Sequence, residues 1–255
     1  MDKILVKQMT DCVYLLNEKS GCSAYLVIGS EKACLIDTME GEENIAALVK
    51  TLTDKPIIVV NTHGHPDHIH GNVYFDDVYI HPADRNMAAM FMGDEQLSRR
   101  PRLPLYHGLK EGDTLGLGGK TLEIYDIPGH TEGGILLLLK EDRILFTGDA
   151  INHHCWLQLG GCLSIEKALE SLERVLFLEN EADRILHGHA FDFDDISLMR
   201  CMAKGLREIL DGKTDRDMPY HFFGGDCLQH PFETVEGKQY SQADSVIVYR
   251  EENVR

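Results

Sequence analysis

No stretch of this 255-residue chain approaches the roughly 20 consecutive apolar residues of a membrane-spanning helix, so a bilayer is not its expected solvent. Positive charge is scarce: 25 Lys and Arg stand against 42 Asp and Glu, for a net charge of −17. Such a surface repels phosphate backbones and argues against nucleic acid as a partner. A local run of positive charge at Arg99, Arg100 and Arg102, around Pro101, reads as a solvated loop. The seven cysteines are odd in number and show no C-x-x-C spacing, which argues against a disulfide framework and for reduced thiols in a cytoplasm. The opening MDKILVKQMTDCVYLL lacks the apolar core of a signal peptide, so a cytoplasmic location is expected. Linkers rich in Pro or Ser are missing too, and residues 1–255 read as a single domain.

What is present alternates between strand and helix signals. SAYLVIG (Ser23 to Gly29) and ACLID (Ala33 to Asp37) flank GSEK as a predicted hairpin. Glu42 to Thr53 carries Ile45, Leu48, Val49 and Leu52 at helical spacing, and IIVV (Ile57 to Val60) is a predicted buried strand. Ala83 to Met92 reads as a helix behind Pro82. Strands follow over LGLGGKTLEIYDI and GILLLLKEDRILFTGD, with turns at Gly118-Gly119 and Glu141-Asp142. Ser164 suits the N-cap of a helix with Ile165, Leu169, Leu172, Val175 and Leu176 on one face. RILHG predicts a strand, Phe193 to Leu210 a helix, and SVIVYR a late strand.

Four of the predicted strands run into loops that hold glycine with histidine or aspartate: IIVV into NTHGHPDH, EIYDI into PGHTEGG, RILF into TGDA, and RIL into HGHA. Ligand sites in α/β sheets favour the carboxyl ends of strands, so these loops can converge. Convergence would gather His63, His65, Asp67, His68, His130, Asp149 and His189, an imidazole and carboxylate set suited to one or two transition metals. His63 and His65 are two apart and point the same way on extended backbone, and Pro66 keeps His65 out of the α region. Surface histidines do not explain five ligand-type residues in one loop with three more at strand ends downstream.

These motifs resemble the metallo-β-lactamase-fold hydrolases. The family's H-x-H-x-D-H stands here as His63-Gly64-His65-Pro66-Asp67-His68, followed in the family's order by PGHTEG around His130, TGD at Asp149 and HGH ending in His189. The resemblance implies an α/β fold built as a four-layer αββα sandwich, with residues 200–255 as a family-variable C-terminal part. It implies that His63, His65 and His130 hold one metal, that Asp67, His68 and His189 hold a second, and that Asp149 bridges them. Two divalent ions are implied, zinc by family habit, with iron or manganese compatible. His187 is expected to support the site, and His70 to begin a helix beside it. Cys155 and Cys162 lie off the motif and read as buried thiols. The diiron branch of the family has Glu where His65 stands, which argues against that branch.

The implied chemistry is attack by a metal-bridging hydroxide on a small ester, thioester or lactone, in the manner of glyoxalase II-like proteins, with Asp67 orienting the water or taking its proton. Alternatives of the same fold are an iron-dependent persulfide-type oxygenase using the equivalents of His63, His130 and Asp149, a β-lactam or phosphodiester hydrolase, and a non-catalytic metal-binding module. Asn152, His153, His154 and Trp156, just behind Asp149, are candidate substrate-binding residues, with His81, Tyr106 and His107 as further ones. The expected partner is a small-molecule substrate, and the chain is compatible with a monomer or homodimer. HFFGGDCLQHPF (His221 to Phe232) matches no motif.

Overall fold

A computed structural model describes residues 4–93, 103–222, 225–234 and 245–255. The predicted loop at Arg99, Arg100 and Arg102 lies outside these residues. Seven strands pair in chain order in the N-terminal half: β1 (Ile4–Gln8), β2 (Val13–Glu18), β3 (Ser23–Ile28), β4 (Ala33–Ile36), β5 (Ile57–Val60), β6 (Asp77–Ile80) and β7 (Leu105–Gly108). The first four run antiparallel, including the expected β3–β4 hairpin. From β4 onward the pairing is parallel, because helix α1 (Ile45–Leu52) crosses between β4 and β5.

A second sheet joins β8 (Thr114–Gly116), β9 (Thr121–Asp126), β10 (Ile135–Leu139), β11 (Ile144–Gly148), β13 (Arg184–His187) and β14 (Asp194–Asp195). The ILLLL of β10 has no polar alternate because both of its faces are covered. Leu137 and Leu139 point between the sheets, against Val13, Leu15, Tyr25, Ile36 and Phe146. Leu136 and Leu138 face outward, onto α4 (Ile165–Val175) and α5 (Leu198–Leu210). On the opposite outer face Ile45 and Val49 of α1 cover Leu16, Leu26, Leu35 and Val59. Helix, sheet, sheet and helix therefore stack in the expected αββα order. Leu137 is wholly buried, so truncating it to alanine would cost about 2–5 kcal/mol.

Element boundaries moved where local hydrogen bonding overrode periodicity. The helix expected from Glu42 begins at Ile45, because Asn44 Oδ1 accepts the Ala47 N–H at 3.0 Å. Ser164 caps α4 as expected, accepting the Lys167 N–H at 3.2 Å. The helix expected over Ala83–Met92 divides into a 3-10 turn at Pro82–Asp84 and α3 (Arg85–Phe91), α2 being the short Pro66–Ile69. The helix expected from Phe193 starts at Leu198, since Asp194 and Asp195 pair with β13 instead. The unassigned His221–Phe232 stretch contributes to a hairpin of β15 (Met218–Phe222) and β16 (Gly225–Pro231). With β12 (His154–Trp156) and β17 (Val246–Tyr249) it makes a third sheet, whose Cys155, Ile247 and Tyr249 join Phe232 in the core around α5.

Candidate metal centre

The loops leaving β5, β9, β11 and β13 meet at one edge of the sandwich. Backbone bonds stitch them together: Ile135 N donates to Thr62 O at 3.0 Å and Gly188 N to Gly148 O at 2.8 Å. A side chain at Gly188 would collide with Asp149 and His68, so only glycine lets that loop pass between them. All seven predicted residues are brought together, in two groups. One ligand atom each from His63, His65 and His130 lies within 4.8 Å of the others, as does one each from Asp67, His68, Asp149 and His189.

Hydrogen bonds at the far ring nitrogens aim these histidines. His63 Nδ1 meets Thr62 Oγ1 at 3.1 Å, and that hydroxyl donates to Asp37 Oδ2 at 2.8 Å. His68 Nδ1 lies 2.8 Å from the same Asp37 oxygen. His130 Nδ1 donates to Trp156 O at 2.6 Å, and His189 Nδ1 to Gly21 O at 3.1 Å. The facing atoms make no hydrogen bond: His63 Nε2, His68 Nε2 and Asp149 Oδ1 are buried, the last two 3.5 Å apart. Buried polar atoms in that state cost free energy unless something else meets them. Three orphaned donor atoms converging within an all-imidazole and carboxylate set fit a divalent cation.

The two groups differ electrically. Burial, reinforced by the neighbouring histidines, holds His63 well below its ordinary pKa, and burial beside His130 pushes His65 down to about 3. In the mixed group burial acts the same way, but carboxylates outweigh it. Asp67, Asp149 and Asp37 raise His68 well above its usual value, and Asp149 raises His189 to about 9. Asp149 is itself held well below the carboxylate range, burial being overcome by His189 and His68. His189 Nε2 stands 3.1 Å from Asp149 Oδ2 and 3.5 Å from Asp67 Oδ2.

Residues around the cluster sort by their partners. His70 begins a 3-10 turn (His70–Tyr74), and its Nε2 sits 3.1 Å from Phe91 O. His187 accepts the His189 N–H at Nδ1, 3.2 Å away. Asn152 is buried, its amide 3.4 Å from Asp149 O. His153 turns inward, with Nδ1 2.6 Å from Ser245 Oγ and Nε2 2.9 Å from Asp194 Oδ1. His154 and Trp156 share one face of β12 and form edge-to-face contacts, His154 also with Tyr220. Cys155 is buried and Cys162 half-buried, the latter donating to His130 O at 3.1 Å. His81 caps the Pro82–Asp84 turn, His107 pairs with Asp77 at 2.7 Å, and Tyr106 packs among apolar side chains.

Two supporting carboxylates escaped the sequence reading. Asp37 holds Thr62 and His68; it ends a strand, the same position that revealed the other loops. Asp84, 1% exposed, accepts Gly64 N at 2.9 Å and Gly133 N at 2.7 Å, clamping the His63–His65 loop to the His130 loop. Gly133 is needed there, because an added Cβ would lie 2.7 Å from Asp84 Oδ1.

The metallo-beta-lactamase superfamily profile matches residues 18–189, and the chain belongs to that superfamily. It is a metal-dependent hydrolase by class. Among curated relatives it is 27% identical over 234 residues to human acyl-coenzyme A thioesterase MBLAC2, covering 76% of this chain and 84% of that one. It is 32% identical over 138 residues to the mitochondrial persulfide dioxygenase ETHE1 of Mus musculus, covering 52% and 50%. Among solved structures, a metallo-beta-lactamase from Pontibacter korlensis shares the fold with a TM-score of 0.65 at 21% identity, over 80% of this chain and 99% of that one. No helix among the described residues is long and apolar enough to cross a membrane.

Proposed function

We propose that the chain hydrolyses a small ester, thioester or lactone at a pair of divalent ions, zinc suiting the donor set and iron or manganese being compatible with it. His63, His65 and His130 would hold one ion, Asp67, His68 and His189 the other, with Asp149 reaching both. Bound there, divalent ions supply Lewis acidity that polarises a carbonyl and acidifies water. The protein supplies the rest. Asp67, its side chain 30% exposed on the first turn of α2, is placed to orient the attacking water and take its proton. His154 and Trp156, beside Tyr220, offer an aromatic wall for the acyl group. A thioester is the favoured substrate, in line with the named activity of the thioesterase relative.

The observation that carries this reading is the completeness of the mixed group: four donors, with buried orphaned atoms on His68 and Asp149. Asp67→Ala tests it. With folding of the variant checked by circular dichroism, turnover on a thioester and lactone panel should vanish; a fully active variant would sink the assignment. The similarity to a persulfide dioxygenase sustains a second reading, one iron on His63, His130 and Asp149. Elemental analysis of protein purified without added metal separates them. Two ions per chain support hydrolysis, whereas a single iron with oxygen uptake supports the oxygenase.

A further inference from the structure

Behind His189 lies a second cluster of titratable groups that no step above uses. Asp194 is 1% exposed, and both of its oxygens are engaged by histidines. His187 Nε2 lies 3.0 Å from Oδ2, and His153 Nε2 lies 2.9 Å from Oδ1. A carboxylate can only accept, so each of these nitrogens carries a proton and donates it. In a neutral ring the other nitrogen must then accept, and both do. His187 Nδ1 takes the His189 N–H at 3.2 Å, while His153 Nδ1 takes the Ser245 hydroxyl at 2.6 Å. The carboxylate thereby selects the tautomer of two rings at once. One ring fixes the backbone that delivers His189 to the mixed group, and the other reaches the residue just ahead of β17. Tyr25 OH holds the same loop from the opposite side, through His187 O.

We propose that Asp194 is a positioning residue for His189, acting through the tautomer of His187, and that through His153 and Ser245 it ties the C-terminal strand to the metal site. This rests on the two-ion reading above. The chain reaction of hydrogen bonds runs Ser245, His153, Asp194, His187, His189, joining parts of the sequence more than fifty residues apart. It gives Ser245, the residue just ahead of β17, a role at the metal site without touching substrate.

The test is a metal titration of the full chain with zinc alone against a competing chelator. In Asp194→Asn one oxygen is replaced by an amide donor, so only one histidine keeps its acceptor. The second ion should bind about 10–100-fold more weakly, while the first binds as in wild type. His187→Leu should behave likewise, and His187→Asn, whose side-chain carbonyl can still accept the His189 N–H, should recover most of the affinity. A purely structural role predicts lower melting temperatures with unchanged affinities. Should Asp194→Asn fail to fold, the two His187 variants decide. Equal affinity of His187→Leu and His187→Asn for the second ion overturns the proposal. Wild type holding two ions with the variants unaffected overturns this role alone; wild type holding one ion overturns the two-ion reading with it.

Discussion

The two halves of the candidate metal cluster both draw on the His63–His68 loop yet differ in surroundings. His63, His65 and His130 form a buried trio whose rings touch, His65 Nδ1 lying 2.9 Å from His130 Nε2, and burial holds His63 and His65 below their ordinary pKa. Asp67, His68, Asp149 and His189 form a mixed quartet in which the carboxylates raise both imidazoles above their ordinary pKa. There a cation replaces protons. On the two-ion reading the same fold edge would offer one ion a desolvated nest and the other an exchange site, the second bordering the more accessible Asp67 and His189, whose side chains are 30% and 37% exposed.

Asp149 is where the halves meet, with Oδ1 3.5 Å from His68 and Oδ2 3.8 Å from His130. Asp149→Ala should erase the distinction by disabling both. Turnover should drop by more than about 10³-fold, beyond what losing one electrostatic stabiliser costs. Metal content should fall below one ion per chain, measured on protein purified without added metal. A variant that keeps two ions would mean that the groups are independent.

Acidity sharpens the contrast. His189 is raised to about 9, so near neutrality the metal-free protein carries its proton, which an entering cation must expel. Affinity of the mixed group should therefore climb at least about tenfold per pH unit from 6 to 8, and more steeply where His68 also gives up a proton. His65 is lowered to about 3 and His63 well below its ordinary value, so neither releases a proton over that range and the trio should show a shallower slope than the mixed group. The sign follows from the folded-state values: protons are released only where the pKa lies above the working pH. Chelator-competition titrations at pH 6, 7 and 8 check it, and equal slopes at both groups would remove the electrical distinction.

Asp37 holds His68 directly and His63 through Thr62, whereas Asp84 clamps the loops of the trio alone. Asp37→Asn loses an acceptor for Thr62 or His68 and should weaken the mixed group about 10–100-fold. Asp84→Asn releases Gly64 or Gly133 and should weaken the trio by a comparable factor, with about 1–3 kcal/mol of lost stability from the orphaned amide. Calorimetric metal titration of the two variants side by side should show the mixed group weakened only by Asp37→Asn. Identical patterns would mean that the loops move as one body.

How much of this was legible follows from where each partner sits. The seven donors could be found because strand ends announce them, and β10 because covering both faces of a strand leaves leucine at every position. Asp37, Asp84 and Asp194 could not be found by spacing. Each is a single acidic residue whose partners lie 25, 49 or 41 positions away in Thr62, Gly133 and His153. Among the substrate candidates, neighbours in sequence do not share surroundings. His154 and Trp156 share a strand face, whereas His153 precedes the strand and turns toward Asp194. The third sheet was hidden because its β15–β16 hairpin mixes histidine, glycine and aspartate, and its partners β12 and β17 come from distant parts of the chain.

The smallest effect tests whether the trio is held by hydrogen bonds or by packing. Helix α4 leans on the His130 loop: Leu163 N donates to Gly129 O at 2.8 Å, and a Cβ at Gly129 would lie 3.1 Å from that of Ala168. Ser164→Ala removes the cap of that helix and should cost about 1 kcal/mol. In a chain of this size that lowers the melting temperature by about 2–4 °C. The affinities of both groups should stay at wild-type values, since His130 keeps Trp156 O and its loop keeps Asp84. If instead the trio weakens while the quartet does not, the orientation of His130 depends on the packing of α4 against its loop, and the clamp at Asp84 is not sufficient to hold it.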